Sequence, residues 1–169
     1  TLGCEAIRDV KPGEVVSLSN NALKVMQAVK PEQPSAMCVF EHIYFARPDQ
    51  IWGGIGVHKV RQRLGEELAR EYGREIGREA EVVMPVPDSS VPAAIGFSHV
   101  SGIPYNDGFI KNRYVGRTFI EPTDSLRKRG VALKLNVINE NVRDKRVVMI
   151  DDSIVRGNTT GPLIKLLKN

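Results

Sequence analysis

Arg146-Val147-Val148-Met149-Ile150-Asp151-Asp152-Ser153-Ile154-Val155-Arg156-Gly157-Asn158-Thr159-Thr160 is the stretch that decides how this chain folds. Four apolar residues in a row, bounded by charge on both sides, read as a short strand buried on both faces. Such a strand belongs to a parallel sheet with helices on each side. Asp151 and Asp152 then stand at its carboxyl end, where open α/β sheets bind their ligands. The Ser-, Gly- and Thr-containing loop that follows opens a helix running through Leu163–Leu167.

Working outward, Val82-Val83-Met84-Pro85-Val86-Pro87 has the same continuous apolar character and predicts a second buried strand. It ends in Asp88-Ser89-Ser90, a polar corner suited to cap a helix over about residues 90–100, with Pro92 early enough to be tolerated. Residues 55–72 predict a helix whose apolar stripe is Val57, Val60, Leu64 and Leu68. A further strand is expected near Pro104, followed by a polar, Gly-containing stretch from Lys111 to Thr123. Strands alternating with helices imply an α/β fold. The chain shows no internal repeat and no low-complexity segment.

The amino-terminal part reads differently. Arg8-Asp9-Val10-Lys11-Pro12-Gly13-Glu14 supplies a turn before a short strand at Val15–Leu18, and Pro31 and Pro34 mark a looser connection. So small a strand unit needs partners from elsewhere. The final helix stops at Leu166-Leu167-Lys168-Asn169 with nothing returning to the sheet, so the sequence reads as a piece of a longer protein.

The 169 residues are enough for one domain and part of another, and 41% hydrophobic with 26% charged is ordinary globular composition. No apolar run approaches the roughly 20 residues of a membrane helix, and no signal segment opens the chain. Lys and Arg exceed Asp and Glu by 24 to 20, with local clusters at Lys111, Arg113 and Arg117 and at Arg127-Lys128-Arg129. Charge is mixed elsewhere, and these clusters suit a small anionic ligand at least as well as a polynucleotide. Two isolated cysteines, Cys4 and Cys38, make neither a disulfide framework nor a zinc pattern, which fits a reducing, cytosolic compartment.

Chemistry narrows the ligand. Adjacent carboxylates accept hydrogen bonds from a vicinal diol, or approach a magnesium ion already held by a diphosphate. The loop after them offers N–H groups and hydroxyls to a phosphate at a positive helix end. A diol beside a phosphate describes a ribose 5-phosphate. A receiver-type or phosphatase metal site and a purely structural turn are the alternatives for the two aspartates. No G-x-x-x-x-G-K-[ST] occurs, and Gly53-Gly54-Ile55-Gly56 lacks the third glycine of a dinucleotide fold.

The Arg146–Thr160 segment resembles the 5-phosphoribosyl diphosphate (PRPP) signature of type I phosphoribosyltransferases. Three more stretches resemble one branch, the glutamine PRPP amidotransferases: Cys38–Asp49, Pro87–Ala94 and Lys111–Ile120, in the family's order. The resemblance implies a Rossmann-like phosphoribosyltransferase sheet over residues 37–169, preceded over residues 1–36 by the tail of an N-terminal-nucleophile glutaminase domain and a linker. It implies that Asp151 and Asp152 meet the ribose hydroxyls and the Mg2+ environment. Ser153, Ile154, Val155, Arg156, Gly157, Asn158, Thr159 and Thr160 would hold the 5-phosphate, and Ser89 would lie near metal and diphosphate. Lys111, Arg113 and Arg117 would belong to a catalytic loop that closes over PRPP. Cys38 would match the first of four ligands of a [4Fe-4S] cluster found in some members, the other three lying beyond Asn169. The implied activity is a pentosyl transfer that makes 5-phosphoribosylamine from PRPP and glutamine-derived ammonia, with purine nucleotides as feedback inhibitors and a homo-oligomer, dimer or tetramer, as the assembly. No residue here matches the family's glutaminase nucleophile. A PRPP-binding transcriptional regulator and a base-salvage transferase are the competing readings.

Overall fold

The computed structural model describes residues 8–19, 22–30, 36–76, 79–112, 135–154, 157 and 160–168. They fall into two compact units, Thr1–Met37 and Cys38–Asn169. In the first unit β1 (Glu14–Ser19) pairs antiparallel with β2 (Ala22–Gln27), from Glu14 opposite Gln27 to Ser19 opposite Ala22. The sequence reading had only the first of these strands. Lys24 between Leu23 and Val25, with Met26 following, blurs the alternation, and every side chain of β2 is exposed.

The second unit is α/β. After a single wide turn, Glu41–Phe45, come the two-residue strands β3 (Ile51–Trp52) and β4 (Ile55–Gly56), then helix α1 (Val57–Ile76). β5 (Val82–Pro85) leads to α2 (Val91–Ser101), followed by β6 (Phe109–Lys111) and β7 (Leu135–Val137). The one-turn α3 (Asn139–Val142), β8 (Val147–Ile150) and α4 (Thr160–Leu167) complete it. β5 and β8 are parallel, Val82 opposite Val147 through Pro85 opposite Ile150. On its other side β5 makes a parallel bridge from Val83 to Tyr105, the strand expected near Pro104 reduced to one residue.

Alternation along β5 divides the core. Val83 packs with Ala69, Ala94, Phe97, Ile103 and Ile150 on the face covered by α1 and α2. Met84 points the other way, among Val86, Phe109, Leu135, Val142 and Leu163. Both faces of β5 are therefore dry, and all four of its residues are buried. This is the physical reason its sequence reads as an unbroken apolar run.

Helix α1 differs from its predicted face. The residues that turn inward are Val57, Arg61, Gly65 and Ala69, while Leu64 and Leu68 are 47% and 38% exposed. Close approach of α2 causes this. A Cβ on Gly65 would stand 1.8 Å from the Ala93 carbonyl oxygen, and one on Gly96 would stand 2.0 Å from that of Gln62. Two glycines facing across the crossing let the helix backbones touch, and this contact selects the buried face over the leucine stripe. Among the described residues no helix is long and apolar enough to cross a membrane.

Candidate functional site

The site forms where two neighbouring parallel strands end. The backbone N–H of Val86 donates to the Ile150 carbonyl at 2.8 Å, carrying the β5–β8 pairing one step past β5. Beyond that bond the chains part, one into Pro87-Asp88-Ser89-Ser90 and the other into Asp151-Asp152. The Pro87–Asp88 peptide is cis. Ser90 is 1% exposed and its Oγ donates to Asp151 Oδ1 at 3.3 Å. The Asp152 backbone N–H donates to the same oxygen at 2.9 Å. Ser153 Oγ donates to Asp152 Oδ1 at 2.8 Å.

Burial first, and the Asp152 charge second, push the Asp151 carboxyl above the usual carboxylate range, against the two hydrogen bonds it accepts. The site thus holds two carboxylates close together, one of them kept short of water. An anion-only pocket would not be built this way. A diol or a cation is the complementary partner.

Past the pair, Ser153 and Ile154 are exposed and Gly157 has φ +66°, a left-handed turn that suits glycine. Its carbonyl accepts from the Gly161 N–H at 2.9 Å, closing the first turn of α4, and Thr160 is the first helical residue. Val155, Arg156, Asn158 and Thr159 lie outside the described residues, as do Arg113 and Arg117. Lys111, the last residue of β6, bonds through Nζ to Asp88 Oδ2. Half-buried Ser89 occupies the same corner. A groove of about 610 Å3 opens beside Asp151, Ile154 and Thr160 and runs between Leu68, Met149 and Ile164.

Three residues that sequence reasoning did not place at the site enter the geometry. The Asp88-Ser89-Ser90 corner was expected to cap α2, but Ser90, at the cap position, makes no side-chain cap bond and serves Asp151 instead. Asp88 is the partner of Lys111. Arg61 is 3% exposed and donates to the His42 and Ala46 carbonyls at 2.7 and 2.9 Å, tying the Glu41–Phe45 turn to α1. Burial lowers its pKa and the Asp152 charge opposes that shift. A charged residue inside an apolar stripe was the available signal for Arg61; Ser90 and Asp88 carried only the generic look of a turn.

Ser90→Ala should leave Asp151 with one fewer donor while removing little volume. Losing one hydrogen bond to a charged acceptor is worth ~1.5–3 kcal/mol where it is made. This bond already exists without ligand, so only the positioning of Asp151 reaches the ligand, and affinity at this edge should fall by at most roughly tenfold. Titration calorimetry of the variant against the ligand measures it, and an unchanged affinity would take Ser90 out of the site.

For metals the donor chemistry is selective. Among the described residues no group of three or more His, Cys, Asp or Glu side chains could hold an ion by itself. Two carboxylates and neighbouring hydroxyls are hard oxygen donors, which fits a Mg2+ that arrives with phosphate ligands of its own. An iron–sulfur cluster does not fit this chain alone: Cys38 is exposed, and two cysteines cannot supply four thiolates.

No family model matches the chain. It is 51% identical over 168 residues to the amidophosphoribosyltransferase of Archaeoglobus fulgidus, covering 99% of this chain and 36% of that protein. The mouse amidophosphoribosyltransferase is 46% identical over 170 residues, with 99% of this chain and 32% of the mouse protein covered. Among solved structures, the glutamine PRPP amidotransferase of B. subtilis complexed with ADP and GMP superimposes with a TM-score of 0.75 at 47% identity, covering 96% of this chain and 34% of that one. A structure of the allosteric regulatory enzyme of purine biosynthesis gives a TM-score of 0.76 at 47% identity over the same shares. The chain spans about a third of the length of the curated relatives it matches.

Proposed function

We propose, for a chain homologous along nearly all of its length to the amidophosphoribosyltransferases, that its full-length gene product joins ammonia to C1 of PRPP. The products are 5-phosphoribosylamine and diphosphate, at the opening step of purine nucleotide synthesis. The observation that carries this reading is the carboxylate pair at the carboxyl edge of β8, one member held by Ser90, directly before the turn that opens α4.

In this reading each residue has a task. Asp151 and Asp152 accept hydrogen bonds from the ribose hydroxyls and hold the sugar with C1 toward the groove mouth. Residues 153–160 surround the 5-phosphate, with the N-terminus of α4 adding its partial positive charge. As the C1–O bond to diphosphate breaks, the sugar gains cationic character and the leaving group gains negative charge. Lys111, with Arg113 and Arg117, offsets that negative charge, and Ser89 lies beside it. Ammonia forms the new C1–N bond and then loses a proton to water. Mg2+, when it comes bound to PRPP, supplies further charge neutralisation on the diphosphate side. Positioning and charge, not a covalent nucleophile, therefore carry the rate.

The same reading brings glutamine as the source of ammonia, purine nucleotides as feedback inhibitors, a homo-oligomeric dimer or tetramer, and a cytoplasmic location. It makes Cys38 an iron–sulfur ligand only where other parts of the full-length protein supply three more thiolates. Supplying ammonia directly to the full-length gene product and following PRPP-dependent diphosphate release tests the activity. Turnover needing ammonia supports it. Binding of PRPP without turnover would point to a regulator, and turnover that consumes a free purine or pyrimidine base would point to salvage.

A further inference from the structure

Lys111 stands at the end of β6 and Asp88 in the loop after β5, and 23 residues separate them in sequence. Their bond joins the loop after β5 to the end of β6, strands of two separate sheets, and Asp88 lies two residues from Ser90, whose hydroxyl donates to Asp151. We propose that Asp88 is an internal stand-in for the diphosphate, holding Lys111 at the mouth of the site until the substrate's leaving group takes its place. This rests on the reading above, in which Lys111 meets that leaving group.

The physical argument is one of competition for a single ammonium. Lysine presents a compact charge with three rotatable donors, so it can exchange one oxygen anion for another without a fixed geometry. The Asp88 side chain is 71% exposed and that of Lys111 only 32%. On release, the carboxylate returns to water it already largely shares, so little desolvation opposes the exchange. A diphosphate carries more charge than a carboxylate and wins the contest once bound. In its absence the pair keeps Lys111 extended toward the Pro87–Ser90 corner rather than free to sample solvent. Asp88 is then a positioning residue that lowers resting affinity for the anion, and its removal should increase that affinity. A carboxylate that merely stabilised the loop, or helped hold the metal, would act in the opposite direction.

The test is calorimetric titration of inorganic diphosphate with magnesium into the full-length gene product at low salt. Four proteins are compared: wild type, Asp88→Asn, Lys111→Met and the double variant. An exposed ion pair of this kind is worth enough that Asp88→Asn should tighten diphosphate binding about two- to fivefold. Lys111→Met should weaken binding, and adding Asp88→Asn to it should then change nothing, because the competition no longer exists. The Asp88→Asn gain should also shrink as salt is raised. Unchanged or weaker binding in Asp88→Asn, or a gain that persists without Lys111, overturns the stand-in role and leaves the reading of the site intact. Failure of wild type to bind magnesium diphosphate overturns both.

Discussion

Replacing Asp151 or Asp152 with asparagine should cut phosphoribosylamine formation by about a hundred- to a thousandfold, and replacing both should abolish it. Each substitution keeps the side chain's shape and removes its charge, so on the proposed reading it discards charge-assisted hydrogen bonds to the sugar that are roughly twice as strong as neutral ones. Removal of one preorganised electrostatic contact from a reacting site has typical costs of about that size. On the same reading, in which these carboxylates hold the sugar and not the amide, glutamine hydrolysis by the full-length gene product should partly survive.

The fold should survive too, and the reason is written in the Asp151 environment. Its carboxyl is raised above the usual range by burial and by Asp152. The native state therefore binds this proton more tightly than the unfolded chain does. At pH below the unfolded-state value both states are protonated and the group costs no stability; as pH rises through that value toward the higher native one, stability is lost. Asp151→Asn removes that cost, so at neutral pH its unfolding temperature should match or exceed that of the parent. Near pH ~3, below the ordinary aspartate value, the two should converge. Thermal scans at both pH values check this, and a variant that unfolds early at neutral pH would mean that Asp151 supports the fold instead.

The largest effect on stability should come from Gly65→Ala. Alanine normally gains up to about 1 kcal/mol over glycine inside a helix. Here its methyl would lie 1.8 Å from the Ala93 carbonyl oxygen, a backbone atom that cannot swing aside. The helices must separate, opening the core around Ala69, Ala94 and Phe97. Overpacking of this kind costs about 3 kcal/mol, toward the upper end of its usual range, even after the gain in helix propensity. For a domain of this size that corresponds to a fall of roughly 6–12 °C in unfolding temperature. Gly96→Ala should behave similarly, with 2.0 Å to the Gln62 carbonyl oxygen. Gly161 in α4 has nothing within 4 Å of the corresponding position, so Gly161→Ala should be neutral or mildly stabilising. Equal effects at Gly65 and Gly161 would contradict the close helix crossing.

The contrast between these glycines explains what could be read from the chain before its structure. β5 was legible because a strand covered on both faces writes its burial into four consecutive apolar residues; β8 has the same apolar run, although only Ile150 of its four residues is fully buried. The existence of α1 was legible from its periodicity, yet of its inward face only Val57 was. The helix contact is made by absent side chains at Gly65 and Gly96, to which a hydrophobic pattern is blind. β2 went unread because an exposed hairpin strand leaves no burial signal. At the site, adjacent acids followed by a Ser-, Gly- and Thr-bearing loop have a chemistry that residue type alone conveys. The Ser90 bond to Asp151 spans 61 residues and the Lys111 bond to Asp88 spans 23, and pairings at such distances have no local signature. Ser90 was also ambiguous in principle, because one hydroxyl can cap a helix or serve a neighbouring strand, and only the register of β5 against β8 decides which.

The most direct measurement is a calorimetric titration of PRPP into the full-length gene product with and without Mg2+, repeated on the Asp151→Asn, Asp152→Asn pair. One site per chain, tightened by magnesium and lost in the double variant, is the expected outcome. Binding of PRPP that is as tight in the double variant as in wild type would place the sugar elsewhere and contradict the account.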